Sequence, residues 1–222
     1  MTSASPLTLS RLPLFPLQTV LFPGSALSLR IFEVRYLDMV QRCHLNGAPF
    51  GVVSLTHGSE VATAPKTGAS ADAAGELFQD VGTLAKLTLF EPVQSGLLHV
   101  RCQGTQRFRI DHREKLKHGL WVADVTLLPD DLPSTVPAEL DDTVDALQKL
   151  LDTLRAQANP AQPLPVTPPY HWDDAGWVAN RWCELLPVGN ELKQRLMALD
   201  APLLRLELVS DLLEKLRLDS HR

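Results

Sequence analysis

The sequence predicts an α+β chain in two parts, a β-barrel over residues 1–130 followed by an α-helical lobe over 131–222. Three observations carry this. Through the first part apolar residues alternate with polar ones, the period of a half-buried strand. Through the second, leucines recur at steps of three and four, the stripe of an amphipathic helix. Between them Pro129-Asp-Asp-Leu-Pro133 breaks both patterns, and the charge changes there as well. Residues 1–129 hold 12 Lys/Arg against 10 Asp/Glu, and residues 130–222 hold 9 against 16. A mildly basic part joined to an acidic one fits two lobes of different character.

The opening stretch organises the first part. Leu14-Phe-Pro16 and Leu21-Phe-Pro23 each end in a residue without a backbone donor, which marks the margin of a strand or a turn. After Gly24, Leu27, Leu29 and Ile31 alternate with Ser28 and Arg30, predicting a core strand. Tyr36, Val40 and Cys43 then begin a helix that Asn46-Gly47 stops. Phe50–Leu55 reads as a short buried strand, and residues 57–76, with little to bury, as a mobile surface loop. Val81, Thr83, Ala85, Leu87 and Leu89 alternate through a long strand, and Glu91–Gly96 is of hairpin length. In the next strand Leu98, Val100 and Cys102 face away from His99, Arg101 and Gln103. Gly104 reads as a turn or bulge, after which Phe108 and Ile110 face inward beside outward Arg107 and Arg109. Trp121, Ala123, Val125 and Leu127 mark a last strand. Short antiparallel strands with turns between them predict a small closed or half-closed barrel.

In the second part, Leu140, Val144, Leu147, Leu151 and Leu154 form one helical stripe, capped by Ser134 or Thr135. Pro160–Pro169 forbids helix and reads as an extended connector. Asp173 is the expected N-cap of a helix with Val178, Trp182 and Leu185 inward and Trp177, Arg181 and Glu184 on a polar face. Asn190 caps a short helix carrying Leu192, Leu196 and Leu199. A last helix opens at Pro202 and buries Leu204, Leu208, Leu212 and Leu216.

Composition bounds the function classes. With 222 residues, 45% hydrophobic and a net charge of -5, the chain is an ordinary globular one. No run approaches the roughly 20 apolar residues of a membrane span, and no signal peptide is visible at the N-terminus. Cys43, Cys102 and Cys183 are odd in number and lack a CxxC spacing, which argues for reduced thiols in the cytoplasm and against a disulfide or zinc framework. A phosphate-cradling GxxxxGK[ST] run and a GxSxG elbow are both absent. His99 and Cys102 point to opposite faces of a strand, and adjacent Cys43 and His44 are poorly placed as nucleophile and base. The acidic pairs Asp130-Asp131, Asp141-Asp142 and Asp173-Asp174 read as caps and solvated faces. No catalytic, metal or cofactor residue is assigned.

Several motifs occur in a telling order. The opening stretch is followed by Val81-Gly-Thr-Leu-Ala85 and Gly104-Thr-Gln-Arg-Phe-Arg-Ile110. Then come Glu184-Leu-Leu-Pro187, Lys193-Gln-Arg-Leu196 and Asp200-Ala-Pro-Leu-Leu-Arg-Leu206. Together these resemble the N-terminal, substrate-recognition domain of Lon proteases across nearly the whole chain. The resemblance implies a PUA-like β-barrel, an α-helical lobe and a role in recognising non-native or tagged polypeptide. The ATPase and Ser-Lys protease modules that follow this domain in Lon have no counterpart here, so it implies a stand-alone, non-enzymatic form without cofactors.

Two features could carry binding. Tyr170, Trp172 and Trp177 follow the connector and offer an aromatic anchor for an apolar peptide. The alternative is RNA, held by Arg101, Arg107, Arg109, Arg113, Lys115 and Lys117 in the hairpin at 101–117, since PUA-like relatives include RNA binders. Asp111 and Glu114 dilute that run. The expected partner is therefore a polypeptide client or a protein, rather than nucleic acid or a membrane.

Overall fold

The structure is a computed structural model and describes residues 7–58, 76–157 and 164–219. Most of the loop expected at 57–76 and the first residues of the connector lie outside them. The chain divides into two compact units, Met1–Asp130 and Asp131–Arg222.

The first unit contains β1 (Thr8–Leu17), β2 (Ala26–Ile31), α1 (Val34–Asn46), β3 (Phe50–His57), β4 (Leu77–Phe78), β5 (Val81–Gln94), β6 (Leu97–Lys115) and β7 (Trp121–Leu127). Its seven strands form one sheet in the order β1-β7-β6-β5-β3-β4, with β2 paired to β6. Nearly every pairing is antiparallel. The exception joins β1 to β3 in parallel, from Leu14 opposite Gly51 to Leu17 opposite Ser54. Because β1 also pairs with β7, the path of pairings leaves β1 on one side and returns to it on the other.

Alternation along β1 feeds two apolar clusters, since successive side chains point to opposite faces. Phe15 and Leu17 join Tyr36, Val40, Phe50 and Val100 in one. Leu12 and Leu14 join Val53, Phe108 and Val125 in the other. Leu27, Leu29 and Ile31 pack as their spacing predicts, and α1 buries Tyr36, Val40 and Cys43. Gly47 stops α1 in the left-handed region at φ 61°.

Two local expectations, the faces of Arg107 and Leu89, are corrected. Gly104 is not a turn, because β6 runs through it, but it borders the bulge expected there. A Cβ there would lie 2.3 Å from the Phe22 carbonyl oxygen, and Gly104 exchanges 2.8 Å backbone hydrogen bonds with Gly24 and Ser25. The β5–β6 register shifts between Thr83 and Ala85, which face Arg107 and Gly104, so β6 carries the extra residue just after Gly104. Its faces exchange beyond that point. Arg107 consequently turns inward, only 3% exposed, and donates to the Pro129 carbonyl at 3.3 Å. A second shift between Leu87 and Leu89 leaves Leu89 exposed and sets Phe90 against the core.

The second unit holds a 3-10 turn at Ala138–Leu140 and helices α2 (Asp141–Ala156), α3 (Ala175–Leu185), α4 (Asn190–Ala198) and α5 (Pro202–Asp219). Helix α2 buries Val144, Leu147 and Leu151, but neither Ser134 nor Thr135 caps it. The 3-10 turn after Pro137 delays the helix, and Leu140 holds the N-cap position without a side-chain bond. Asp174, not Asp173, caps α3, accepting from the N–H of Gly176 at 2.8 Å and of Trp177 at 3.3 Å. Gly189 precedes α4, which places Asn190 inside the helix instead of at its cap.

Helix α5 is turned from its expected face. Leu204 and Leu208 are exposed, while Arg205, Leu206 and Val209 are buried. Arg205 decides the rotation. Its guanidinium reaches Asp131 at 2.6 Å, Asn180 at 3.0 Å and the Leu196 carbonyl at 2.9 Å, and also bonds the Leu199 carbonyl. A buried cation is tolerated only when its donors are satisfied in this way.

Candidate functional site

The three aromatic residues singled out in sequence come together within the second unit. The Tyr170 ring stacks on Trp172 with centroids 5.2 Å apart. Trp177, in the first turn of α3, meets Trp172 edge-on at 5.0 Å and Tyr170 at 6.0 Å. Asp174 holds this turn by its capping bond to the Trp177 N–H. All three side chains are half-buried. Two guanidiniums lie over the rings, Arg155 above Tyr170 at 4.8 Å and Arg181 above Trp177 at 5.8 Å. Such contacts attract through the ring quadrupole.

The polar face expected around Trp177 is not solvated. Arg181 is 3% exposed and pairs with Glu184 one turn on. Burial lowers the Arg181 pKa, and the Glu184 charge opposes that shift. The cluster is thus an apolar surface backed by a buried ion pair.

The basic hairpin is largely paired within its own unit. Arg107 is buried, Arg113 reaches Asp80 at 3.4 Å and lies over the Phe78 ring, and Lys115 reaches Glu76 at 3.3 Å. Arg109 sits 4.0 Å from Asp111. These partners cancel much of the positive surface that phosphate contact needs.

All three cysteines are buried and free. Burial pushes the Cys102 and Cys183 thiols up to about 12 and raises Cys43 as well. Protonated thiols are poor nucleophiles and poor metal ligands. Among the described residues no group of His, Cys, Asp and Glu could hold a metal ion, and no helix is long and apolar enough to cross a membrane.

Sequence reasoning missed a cleft of about 570 Å³ beside α1 in the first unit. Its floor is Met39, Cys43, Leu120 and Val122, and Arg11 and Arg42 stand at its rim. Arg35, among its lining residues, donates to Glu76 at 3.1 Å, and that carboxylate also accepts from the Trp121 indole at 2.7 Å. Strand, helix and turn contribute from distant parts of the chain, so no local pattern announces it.

Over residues 11–215 the sequence matches the family described as the ATP-dependent protease La (LON) substrate-binding domain. The chain belongs to that family. Two solved structures share the Lon fold. A Lon N-terminal domain protein from Xanthomonas campestris is 28% identical with a TM-score of 0.67, covering 91% of this chain and 98% of its own. The N-terminal domain of a Mycobacterium avium complex Lon protease is 16% identical with a TM-score of 0.54, covering 90% and 96%. No curated protein matches the chain. Two of the motifs that resemble Lon in sequence meet in space, since Val81–Thr83 of β5 pair with Arg107–Arg109 of β6. They build the sheet.

Proposed function

We propose that this chain recognises polypeptide, taking non-native or tagged clients on the Tyr170, Trp172 and Trp177 surface and performing no catalysis on them. The observation that carries this reading is the convergence of three half-buried rings, 5.0 to 6.0 Å apart, on one face of a Lon substrate-binding domain. Aromatic rings lose little conformational entropy on binding and offer large apolar area, the properties of an interface anchor. A flexible client loses entropy as it docks, so affinity is modest, on the order of micromolar. The reading includes no ATP hydrolysis and no peptide cleavage.

Two finer structural readings belong with it. The circuit of pairings from β1 through β7 and back through β3 is read as the PUA-like barrel, and residues 131–222 as the α-helical lobe. Three buried free thiols favour the reducing cytoplasm. The paired cations of the hairpin give no reason to prefer RNA.

The test is Tyr170→Ala and Trp177→Ala against a fluorescent unfolded polypeptide, with melting temperature measured for each. The expected result is an unchanged melting temperature and affinity weakened by about tenfold or more, as for truncated interface anchors. Parent-like binding by both folded variants refutes the aromatic site. Early melting instead assigns the rings to holding their own unit together.

A further inference from the structure

The cleft beside α1 has features that its place in the sheet does not require. Its floor is core-like, with Met39 and Cys43 from α1 at 3% and 5% exposure and Leu120 and Val122 at 8% and 7%. Yet the space above them is open. Val34, at the mouth, is 71% exposed at the start of α1. An apolar floor continuing to an exposed valine is costly to leave in water and suits an apolar side chain.

The rim is cationic. Arg42 is exposed and has no carboxylate partner among the described residues. Arg11 shares one exposed 3.4 Å contact with Glu114, a class of pair that contributes little and exchanges readily. Asp38 is the acidic residue among the cleft's lining groups. Arg35, which also lines it, is occupied by Glu33 and Glu76. The polar side chains left to meet a ligand are thus the guanidiniums of Arg11 and Arg42 with the exposed His118 and Asn46, against the single carboxylate of Asp38.

Arg11 supplies an independent sign. Among the described residues it is the non-glycine residue with positive φ, at 54°. It lies where the β1–β7 register shifts between Leu9 and Leu12, and its N–H is held by the Asp124 carboxylate at 2.9 Å. A left-handed backbone at a non-glycine residue is costly and collects at ligand sites. Here it sets a guanidinium at the edge of an apolar cleft.

We propose that this cleft binds an extended peptide segment in which an apolar side chain enters over Met39 and Leu120 while adjacent acidic side chains meet Arg42 and Arg11. This rests on the polypeptide-recognition reading and deepens it by naming a second site and the chemistry of the segment that fills it. The cleft volume falls within the range of ligand sites and suits one or two side chains of a peptide.

The experiment uses the full chain and a fluorescein-labelled peptide with adjacent Leu and Phe followed by a run of Glu. Two counterparts are titrated alongside, one with Lys for Glu and one with Ser for Leu and Phe. Saturable binding of the Glu peptide is expected, with both counterparts weaker by about tenfold or more. Arg42→Glu and Val34→Asp alter exposed side chains, so their folding is readily verified by melting. Each is expected to weaken the Glu peptide by about tenfold or more. Absence of saturable binding, equal binding of the Lys counterpart, or parent-like binding by both folded variants overturns the proposal. Trp177→Ala with unfolded polypeptide is measured in parallel to separate the two sites. Loss there with parent-like behaviour of both Arg42→Glu and Val34→Asp on the Glu peptide removes the cleft and leaves the aromatic site standing. Loss with Arg42→Glu alone upholds the cleft and removes the aromatic site.

Discussion

The Glu76 carboxylate gathers a Trp121 indole at 2.7 Å, an Arg35 guanidinium at 3.1 Å and a Lys115 ammonium at 3.3 Å. Burial alone would raise its pKa, but the Trp121 hydrogen bond and the two cations outweigh that and hold it below the ordinary carboxylate value. A depressed folded-state pKa stabilises the fold above the unfolded value, about 4.3 for Glu. That contribution is lost as pH falls through the folded value. Glu76→Gln is therefore expected to cost about 1–3 kcal/mol at neutral pH, the range for a lost charged hydrogen-bond partner. The difference from the parent should shrink once pH falls below the unfolded value and through the lower folded one, where the parent's carboxylate is itself protonated. Urea unfolding of both proteins at neutral and at acid pH checks this. A constant difference would show that shape, not charge, is what Glu76 supplies.

At the scale of elements, helix α5 shows what pattern alone leaves open. Leu204, Leu208, Leu212 and Leu216 fit one helical stripe, and Pro202, Leu206 and Val209 fit another. Both are apolar, so periodicity does not choose between them. The choice comes from Arg205 meeting Asp131, a partner 74 residues away. Leu206→Ala is accordingly expected to cost about 2–5 kcal/mol as a buried truncation. Leu208→Ser, on the exposed side, should stay within about 0.5–1 kcal/mol. Chemical denaturation of the two variants ranks the faces, and the reverse order would restore the leucine stripe as the buried one. The strands tell a similar story. Alternation locates β2, β3 and β7, but the register shifts in β5 and β6 depend on the partner strand, so strict alternation puts Arg107 and Leu89 on the wrong faces. The aromatic trio was legible because its residues lie within one short stretch, whereas the cleft beside α1 draws on β1, α1 and the β6–β7 turn.

At the scale of the molecule, both units carry a surface with more than a structural rationale. The first unit has an apolar cleft with arginines at its rim, and the second has a face of three packed rings. The proposed polypeptide recognition would give both a common use, since docking a flexible chain needs preformed apolar surface. Phosphate contact would instead need unpaired cations, and the hairpin at 101–117 has most of its own paired. The two possibilities separate cleanly with salt. Apolar docking varies weakly with ionic strength, whereas neutralising several phosphates makes affinity fall steeply. The most direct measurement is the titration of the full chain with a fluorescent unfolded polypeptide and with single-stranded RNA at about 50 and 200 mM salt. Polypeptide binding on the order of micromolar, changing by less than about threefold between the two conditions, with no saturable RNA binding, is the expected result. Saturable RNA binding that collapses with salt, together with no polypeptide binding, would contradict polypeptide recognition outright.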